Sequence, residues 1–379
     1  MVSSSRDTVF LRWERIRLTD VIGVRLYRMA AFEAGFRQLA QLPPEASRFD
    51  DVNVEAGVEY AYQITAMGAD FESMRSDTVR VEPGPTFNWV AENPGASNRL
   101  LKLTHDSRHV MTGTSGFLTI IDIEPNLRNG QVWVIDFITP GLGQVIRVSA
   151  RGQVVLPFLN LAGPRDAAIV LETGSLWVAN AHDSSVVKLN VDGEMLFSER
   201  NFIRPVSVAV DQRTGACWVA DGGRNEVVRL GPDGSERLVS AVAFQAVAGL
   251  ATNSADGSVW VSDKTRVLKL DDRGEPLLEI ANDFTDARKL AVNDSTGAVW
   301  MINWNPSTVS KFRPDGQKAF ELPGFNRPAD LAINLFDDSC LVADTENHRL
   351  VKISSEGQQV SVVQKLTFPS AVAVQNEMD

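Results

Sequence analysis

Four histidines, two cysteines and a recurring acidic position are the residues with which this 379-residue chain could do chemistry. His105 and His109 are four apart, a spacing that binds zinc when it falls on one face of a helix. Here the residues around them predict a turn and a strand, so the pair does not converge on one ion. His182 and His348 fall in loops far apart along the chain. Cys217 and Cys340 hold equivalent places in separated repeats, which keeps them beyond the ~5.5 Å Cα spacing of a disulfide. They read as small buried residues. No glycine-rich phosphate loop and no serine elbow is present, and Gly141-Leu-Gly143 has the length of a hairpin loop rather than of a nucleotide fingerprint. The expectation is no metal and no cofactor. One position remains: Glu92, Asp136, Asn180, Asp221, Asp263, Asn303 and Asp344 each close a short apolar run. A side chain that ends every such run is expected to bond the turn backbone, which is architecture rather than a site.

The elements that carry these residues form a repeat. The anchor is an apolar residue, Trp, Val and a polar end, as in Val132-Trp-Val-Ile-Asp136 and Cys217-Trp-Val-Ala-Asp221. From Trp89 to Leu341 its copies are spaced by 44, 44, 41, 42, 40 and 41 residues, a period that marks stacked or radial repeats. Each copy divides into four strand-like pieces. In one of them Pro205–Val210, Ala216–Asp221, Glu226–Leu230 and Glu236–Ala241 are joined by turns such as Pro232-Asp-Gly234. Asp-Gly supplies the positive φ of a tight hairpin. Four antiparallel strands per ~42 residues predict β-propeller blades. The first copy lacks a first strand, and Phe368-Pro-Ser-Ala-Val-Ala-Val374 is a first strand with nothing after it. The C-terminal strand is therefore expected to complete the N-terminal blade, which gives seven blades. Six is the alternative, if residues 87–116 are irregular.

Arg327-Pro-Ala-Asp-Leu-Ala-Ile333 with Leu341-Val-Ala-Asp-Thr-Glu-Asn-His-Arg-Leu-Val-Lys352, and Arg204-Pro-Val-Ser-Val-Ala-Val210 with Trp218-Val-Ala-Asp221, resemble NHL repeats. The resemblance covers most of residues 87–374 and implies a propeller. NHL proteins are commonly six-bladed, so seven departs from the pattern. The seven-bladed streptogramin lyases share the Trp-centred strand and are the nearest enzymatic comparison. They use a His with a nearby Glu on loops of one face, for which His348 with Glu346 is the faint counterpart. The inward histidines of NHL-fold amidating lyases have no match here.

Residues 8–82 read as alternating strands: Thr8–Trp13, Gly23–Arg28, Val58–Ala66 and Ser76–Val81, with Phe32–Ala40 as strand and loop. Trp13, then Val54-Glu-Ala-Gly-Val-Glu-Tyr60, resemble a fibronectin type III domain. That resemblance implies a Trp packed between two sheets and a tied tyrosine, Tyr60. Only a few residues precede the Trp13 strand, so the family's first strand reads as truncated. The expected organisation is all-β: a sandwich over 1–82, a linker over 83–86 and a propeller over 87–379.

Composition narrows the function. A net charge of −11, and −8 over residues 87–379, argues against a partner tracked through phosphates, so nucleic acid is not expected, and RNA binding as in some NHL proteins is disfavoured. No apolar run approaches the ~18–20 residues of a membrane-spanning helix. The loops of one propeller face carry Trp304, Arg288, Arg327, Asp330, Arg165, Asp166, Arg204, Arg224, His182 and His348. Alternating charge around a tryptophan with no repeat equivalent suits a protein or glycan contact. The expected function is a non-catalytic binding or scaffold protein, with a place in a larger assembly as part of that expectation. The alternative is a propeller enzyme of the streptogramin-lyase or lactonase-like type. The pairing of domains resembles secreted bacterial proteins, so the expected place is secreted, periplasmic or cell-surface, although residues 1–8 hold no signal-peptide core.

Overall fold

The computed structural model of the chain describes residues 2–4, 8–14, 20–31, 33–54, 58–81, 83–84, 86–95, 98–105, 107, 110–139, 141–281 and 284–376. His109, residues 55–57, Glu82 and Pro85 of the expected linker lie outside these. The chain divides into two compact units, residues 1–88 with 102–111 and residues 89–101 with 112–379. Among the described residues every element but one 3₁₀ turn is a β-strand.

In the first unit, strands Val2–Ser4, Val9–Arg12 and Arg48–Asp51 make one sheet, and Arg37–Leu42, Gly23–Ala30, Tyr60–Met67 and Val79–Val81 make another. Alternation builds the core: Val9, Leu11, Leu26, Ala30, Tyr60, Tyr62 and Val81 are buried together. Trp13 packs on this core from its edge, and its indole N–H donates to the Ala46 carbonyl at 3.0 Å. The few residues ahead of the Trp13 strand do form a strand, Val2–Ser4, paired antiparallel with Val9–Leu11. Three residues are enough, because Val9–Arg12 is already held on its other side by Arg48–Asp51. A buried network that the sequence reading did not single out ties the interior: Arg28 donates to Asp51 at 2.8 Å, and the Tyr62 hydroxyl donates to the same carboxylate at 2.9 Å. Burial and the Asp51 charge push the Tyr62 phenol well above its ordinary range.

The second unit is built from four-stranded antiparallel sheets, each running in chain order, as in Pro205–Val210, Cys217–Asp221, Glu226–Leu230 and Arg237–Val239. One sheet departs from this order. Its innermost strand is the last of the chain, Pro369–Asn376, beside Thr86–Glu92. Trp89 Nε1 donates to Gln375 Oε1 at 2.9 Å, and the Thr367 N–H donates to Glu92 at 2.9 Å, so both ends of this pairing are pinned. The innermost strands follow one another in a closed circuit. Ile120–Pro125, Pro164–Val170, Pro205–Val210, Val247–Asn253, Ala287–Val292, Pro328–Asn334 and Pro369–Asn376 each contact the next, and the last returns to the first.

The repeated tryptophans fill the space between sheets. Trp89, Trp133, Trp177, Trp218, Trp260 and Trp300 are at most 1% exposed. Trp177, for example, packs with Val208, Val210 and Cys217 of the following sheet. Each from Trp133 on pairs across the sheet with a base, as Trp133↔Arg147, Trp177↔Lys188, Trp218↔Arg229, Trp260↔Lys269 and Trp300↔Lys311. The cation lies over the ring in several of these, at 5.1 Å for Lys188 on Trp177 and for Lys311 on Trp300. That contact gives the buried indole a polar neighbour where its N–H has no hydrogen bond, as at Trp177 and Trp300. The recurring polar position bonds the turn backbone as expected at six of its seven copies; Asn180 departs, its Oδ1 buried without a hydrogen bond among the described residues and its amide donating to the Ser185 hydroxyl at 3.2 Å. Asp221 accepts from the N–H groups of Ile203 and Arg204 at 2.9 Å, and Asp263 accepts from Gln245 and Ala246 at 2.8 and 2.6 Å. These carboxylates hold the loop that leads into the innermost strand of their own sheet.

Close approach at the centre has one clear requirement. A Cβ on Gly249 would lie 2.0 Å from the Arg288 carbonyl oxygen of the next innermost strand. Gly249→Ala is therefore expected to cost about 1–3 kcal/mol through backbone displacement. Thermal melting reads this directly, and an unchanged midpoint would contradict the packing of these strands.

Candidate functional site

The circuit of innermost strands encloses a channel cavity of about 270 Å³. A register shift after the first residue of these strands, as between Pro205 and Ser207, turns the third residue inward. The third residues are Asp122, Asp166, Ser207, Gly249, Lys289, Asp330 and Ala371. They bond around the ring. Asp122 accepts from Ala167 N–H at 2.8 Å, Asp166 from Val208 at 2.8 Å, Ser207 from Leu250 at 3.2 Å and Asp330 from Val372 at 2.9 Å. Each therefore stitches its strand to the next. The second oxygens face Lys289, whose Nζ lies 3.8, 3.4 and 3.5 Å from Asp122, Asp166 and Asp330. Two residues further on, six of the seven strands carry alanine (Ala168, Ala209, Ala251, Ala291, Ala332 and Ala373), and the seventh carries Glu124.

The electrostatics follow from this crowding. Burial, then the neighbouring carboxylates, push Asp122 up to about 7 against the pull of Lys289. Glu124 and Asp330 are raised for the same first reason, burial. Three aspartates and Glu124 hold the Lys289 ammonium well above its ordinary range, against the cost of its enclosure. A nucleophilic or basic lysine needs the opposite shift. The cluster joins neighbouring strands and holds charge at the centre of the ring. Among the described residues no group of His, Cys, Asp and Glu is arranged to hold a metal ion.

The ten residues expected on one face separate into distinct places. Asp166 and Asp330 belong to the channel ring. Trp304 is half-buried and held at both ends: its backbone N–H donates to Asp286 at 2.9 Å, and its indole N–H donates to the Pro328 carbonyl at 2.9 Å. The Arg288 guanidinium lies 3.7 Å from the Trp304 ring centre and that of Arg327 4.9 Å. Asp286 receives Arg288 in a two-pronged contact at 2.9 and 3.0 Å, and Glu346 lies 3.6 Å from Arg327. His348 accepts from Phe368 N–H at 3.4 Å and meets the Phe368 ring edge-on. Glu346 and His348, the faint counterpart of a lyase pair, are thus each engaged with other groups. Arg165, His182 and Arg204 line a separate cavity of about 430 Å³ with Phe137, Gly163, Ala181 and Val206. Arg224 stands apart, bonded to Asn201 and 3.7 Å from Asp221.

Asp122, Glu124 and Lys289 are not among the ten residues expected on the binding face from the sequence. Aligning the third and fifth residues of the innermost strands exposes all three. The signal is weak because a one-residue bulge decides which side chain turns inward.

Radial four-stranded sheets around a charged channel define a β-propeller protein. Comparison with solved structures agrees. The chain is similar to a functionally unknown protein from Desulfotomaculum acetoxidans (TM-score 0.63, 13% identity, covering 77% of this chain and 99% of that one). It is also similar to a chain of a nidogen/laminin complex (TM-score 0.52, 10% identity, 78% and 100%). A third is an inactive variant of virginiamycin B lyase from Staphylococcus aureus with quinupristin (TM-score 0.55, 12% identity, 65% and 84%). At these identities the likeness is one of fold. No protein-family model matches the sequence, and no curated protein matches it.

Proposed function

We propose that the chain is a non-catalytic binding or scaffold protein acting outside the cytoplasm. In this reading a fibronectin type III-like sandwich over 1–82 and a linker over 83–86 precede an NHL-like propeller over 87–379. The propeller has seven blades and is closed by the C-terminal strand. The face bearing Trp304 contacts a protein or a glycan, within a larger assembly. The observation that carries the reading is where the two charged regions lie, one enclosed in the channel and one exposed around Trp304. The channel charges are spent on one another and on neighbouring strands. Trp304 presents a rigid aromatic at the surface with the guanidinium groups of Arg288 and Arg327 on its ring, each of them also facing one carboxylate, Asp286 and Glu346. Aromatic residues and arginine dominate interface energies. The sandwich order, three strands against four, supports the fibronectin resemblance, and one structural neighbour belongs to a protein complex.

The test is Trp304→Ala beside the double variant Arg288→Ala/Arg327→Ala. Half-burial and one indole hydrogen bond predict a loss of about 1–2 kcal/mol for Trp304→Ala, below the ~3–5 of a fully buried tryptophan. The double variant should melt near the wild type, since exposed ion pairs contribute little. Both should lose the partner that crosslinks to the wild-type chain in its native extract. Retention of that partner by both variants would refute the face assignment.

A further inference from the structure

We infer that the cavity lined by Arg165, His182 and Arg204 is a binding site for a carboxylate on an apolar body, such as the C-terminal residue of a chain ending in an apolar side chain. The inference rests on the binding-protein reading and adds the ligand class. Three observations carry it. The first is charge. In a chain of net charge −11, the described residues of the cavity lining include two arginines and no acid. Arg165 meets no described carboxylate and rests on the Phe137 ring at 5.6 Å, while the Arg204 guanidinium donates, among the described residues, to the Gly222 carbonyl alone, at 3.2 Å. Asp183, next to His182 in sequence, is engaged by Arg200 at 3.1 Å. Two guanidinium groups therefore keep most of their five donors each for a ligand.

The second observation is the kind of polar group present. Apart from one imidazole nitrogen, the lining side chains offer donors only, beside Phe137, Ala181 and Val206. Sugar hydroxyls need acceptors as well as donors, so the lining suits an acid with an apolar body better than a hydroxyl-rich one. A volume of about 430 Å³ admits a group of amino-acid size.

The third is preorganisation. Ala181 N–H donates to the Gly163 carbonyl at 3.0 Å and Asp183 N–H to Ala162 at 3.3 Å, which joins the two loops that form the rim. Gly163 has φ +72°, and a Cβ there would stand 2.8 Å from the Cβ of His182. The rim is thus fixed before a ligand arrives, which lowers the entropy cost of binding.

The experiment is calorimetric or NMR titration of the full chain with N-acetyl-L-phenylalanine, N-acetyl-L-phenylalaninamide, 3-phenylpropionate, glucuronate and phenyl phosphate. Saturable binding of N-acetyl-L-phenylalanine, at least about tenfold tighter than its amide and than glucuronate, is expected. Arg165→Ala and Arg204→Ala should each weaken it about tenfold or more with unchanged melting. The 3-phenylpropionate arm reports the source. Weaker binding than N-acetyl-L-phenylalanine supports a polypeptide terminus, and equal or tighter binding overturns that part of the inference. No saturation up to about 10 mM, equal binding of the amide or glucuronate, tighter binding of phenyl phosphate, or indifference to both substitutions would overturn the site. Failure here leaves the Trp304 face standing, because its test uses different residues and a macromolecular partner.

Discussion

Lys289→Met is expected to destabilise the protein by about 2 kcal/mol at neutral pH and to make its stability fall steeply as pH rises. Removing one partner of a dry buried ion pair costs ~3–5 kcal/mol. The Lys289 side chain is 36% exposed to the channel, so water screens part of that loss. The direction with pH follows from linkage. A carboxyl whose folded-state pKa lies above its unfolded value takes up a proton more readily when folded. Its contribution is complete below the unfolded pKa and is lost as pH rises through the folded one. Burial raises Asp122 to about 7, so the wild type should lose stability between about pH 4 and 7 from this group. Without the lysine the carboxylates of the ring rise further, and the cluster titrates as one. Melting curves from pH 5 to 8 should show the variant nearly matching the wild type at pH 5 and separating from it by pH 8. A gap that is constant across this range would contradict the ring of charge. At the acid end the opposite groups act. Asp256 and Asp337, lowered by hydrogen bonds from Ser258 and Ser339 and by Lys269 and Lys352 against the opposing effect of burial, withdraw their contribution as pH falls below the ordinary carboxylate range.

Ending the chain at Thr367 should abolish cooperative melting of the second unit. The strand that is removed, Pro369–Asn376, buries Ala371, Val372, Ala373 and Val374 and supplies the acceptor for Trp89. It also carries the Val372 N–H that Asp330 bonds across the ring. Its loss exposes apolar side chains and unpaired strand edges at once, a combination that invites aggregation. The expected readout is a broad, low-temperature transition with light scattering. A truncated chain that melts sharply at the wild-type midpoint would mean that the circuit does not depend on its last strand.

The architecture was legible in the chain because the Trp-centred strand and its closing acid recur at a nearly constant spacing, and because Asp-Gly turns separate the strands. The site was legible only in part. Arg288 and Arg327 were placed beside Trp304 by the repeat alone, and their guanidinium groups lie on its ring. Asp166 and Asp330 were read as face residues on the same logic, yet they point into the channel. The reason is local. The innermost strands bulge after their first residue, and a shift of one residue moves a side chain to the other surface. Lys289 and Glu124 each occur once at their ring position, so no repetition marked them. The Arg28–Asp51–Tyr62 network joins residues from three strands of the first unit, and pairing of that kind has no local signature.

Charge at the middle of the ring is proposed to serve structure, and the face bearing Trp304 to serve binding. One paired measurement tests this most directly. Lys289→Met and Arg288→Ala/Arg327→Ala are each assayed at pH 6 for melting midpoint and for retention of the wild-type partner on the immobilised chain. The account predicts that Lys289→Met melts lower and still holds the partner, whereas the face variant melts near the wild type and releases it. A Lys289→Met protein that remains folded but releases the partner, beside a face variant that keeps it, would contradict the account.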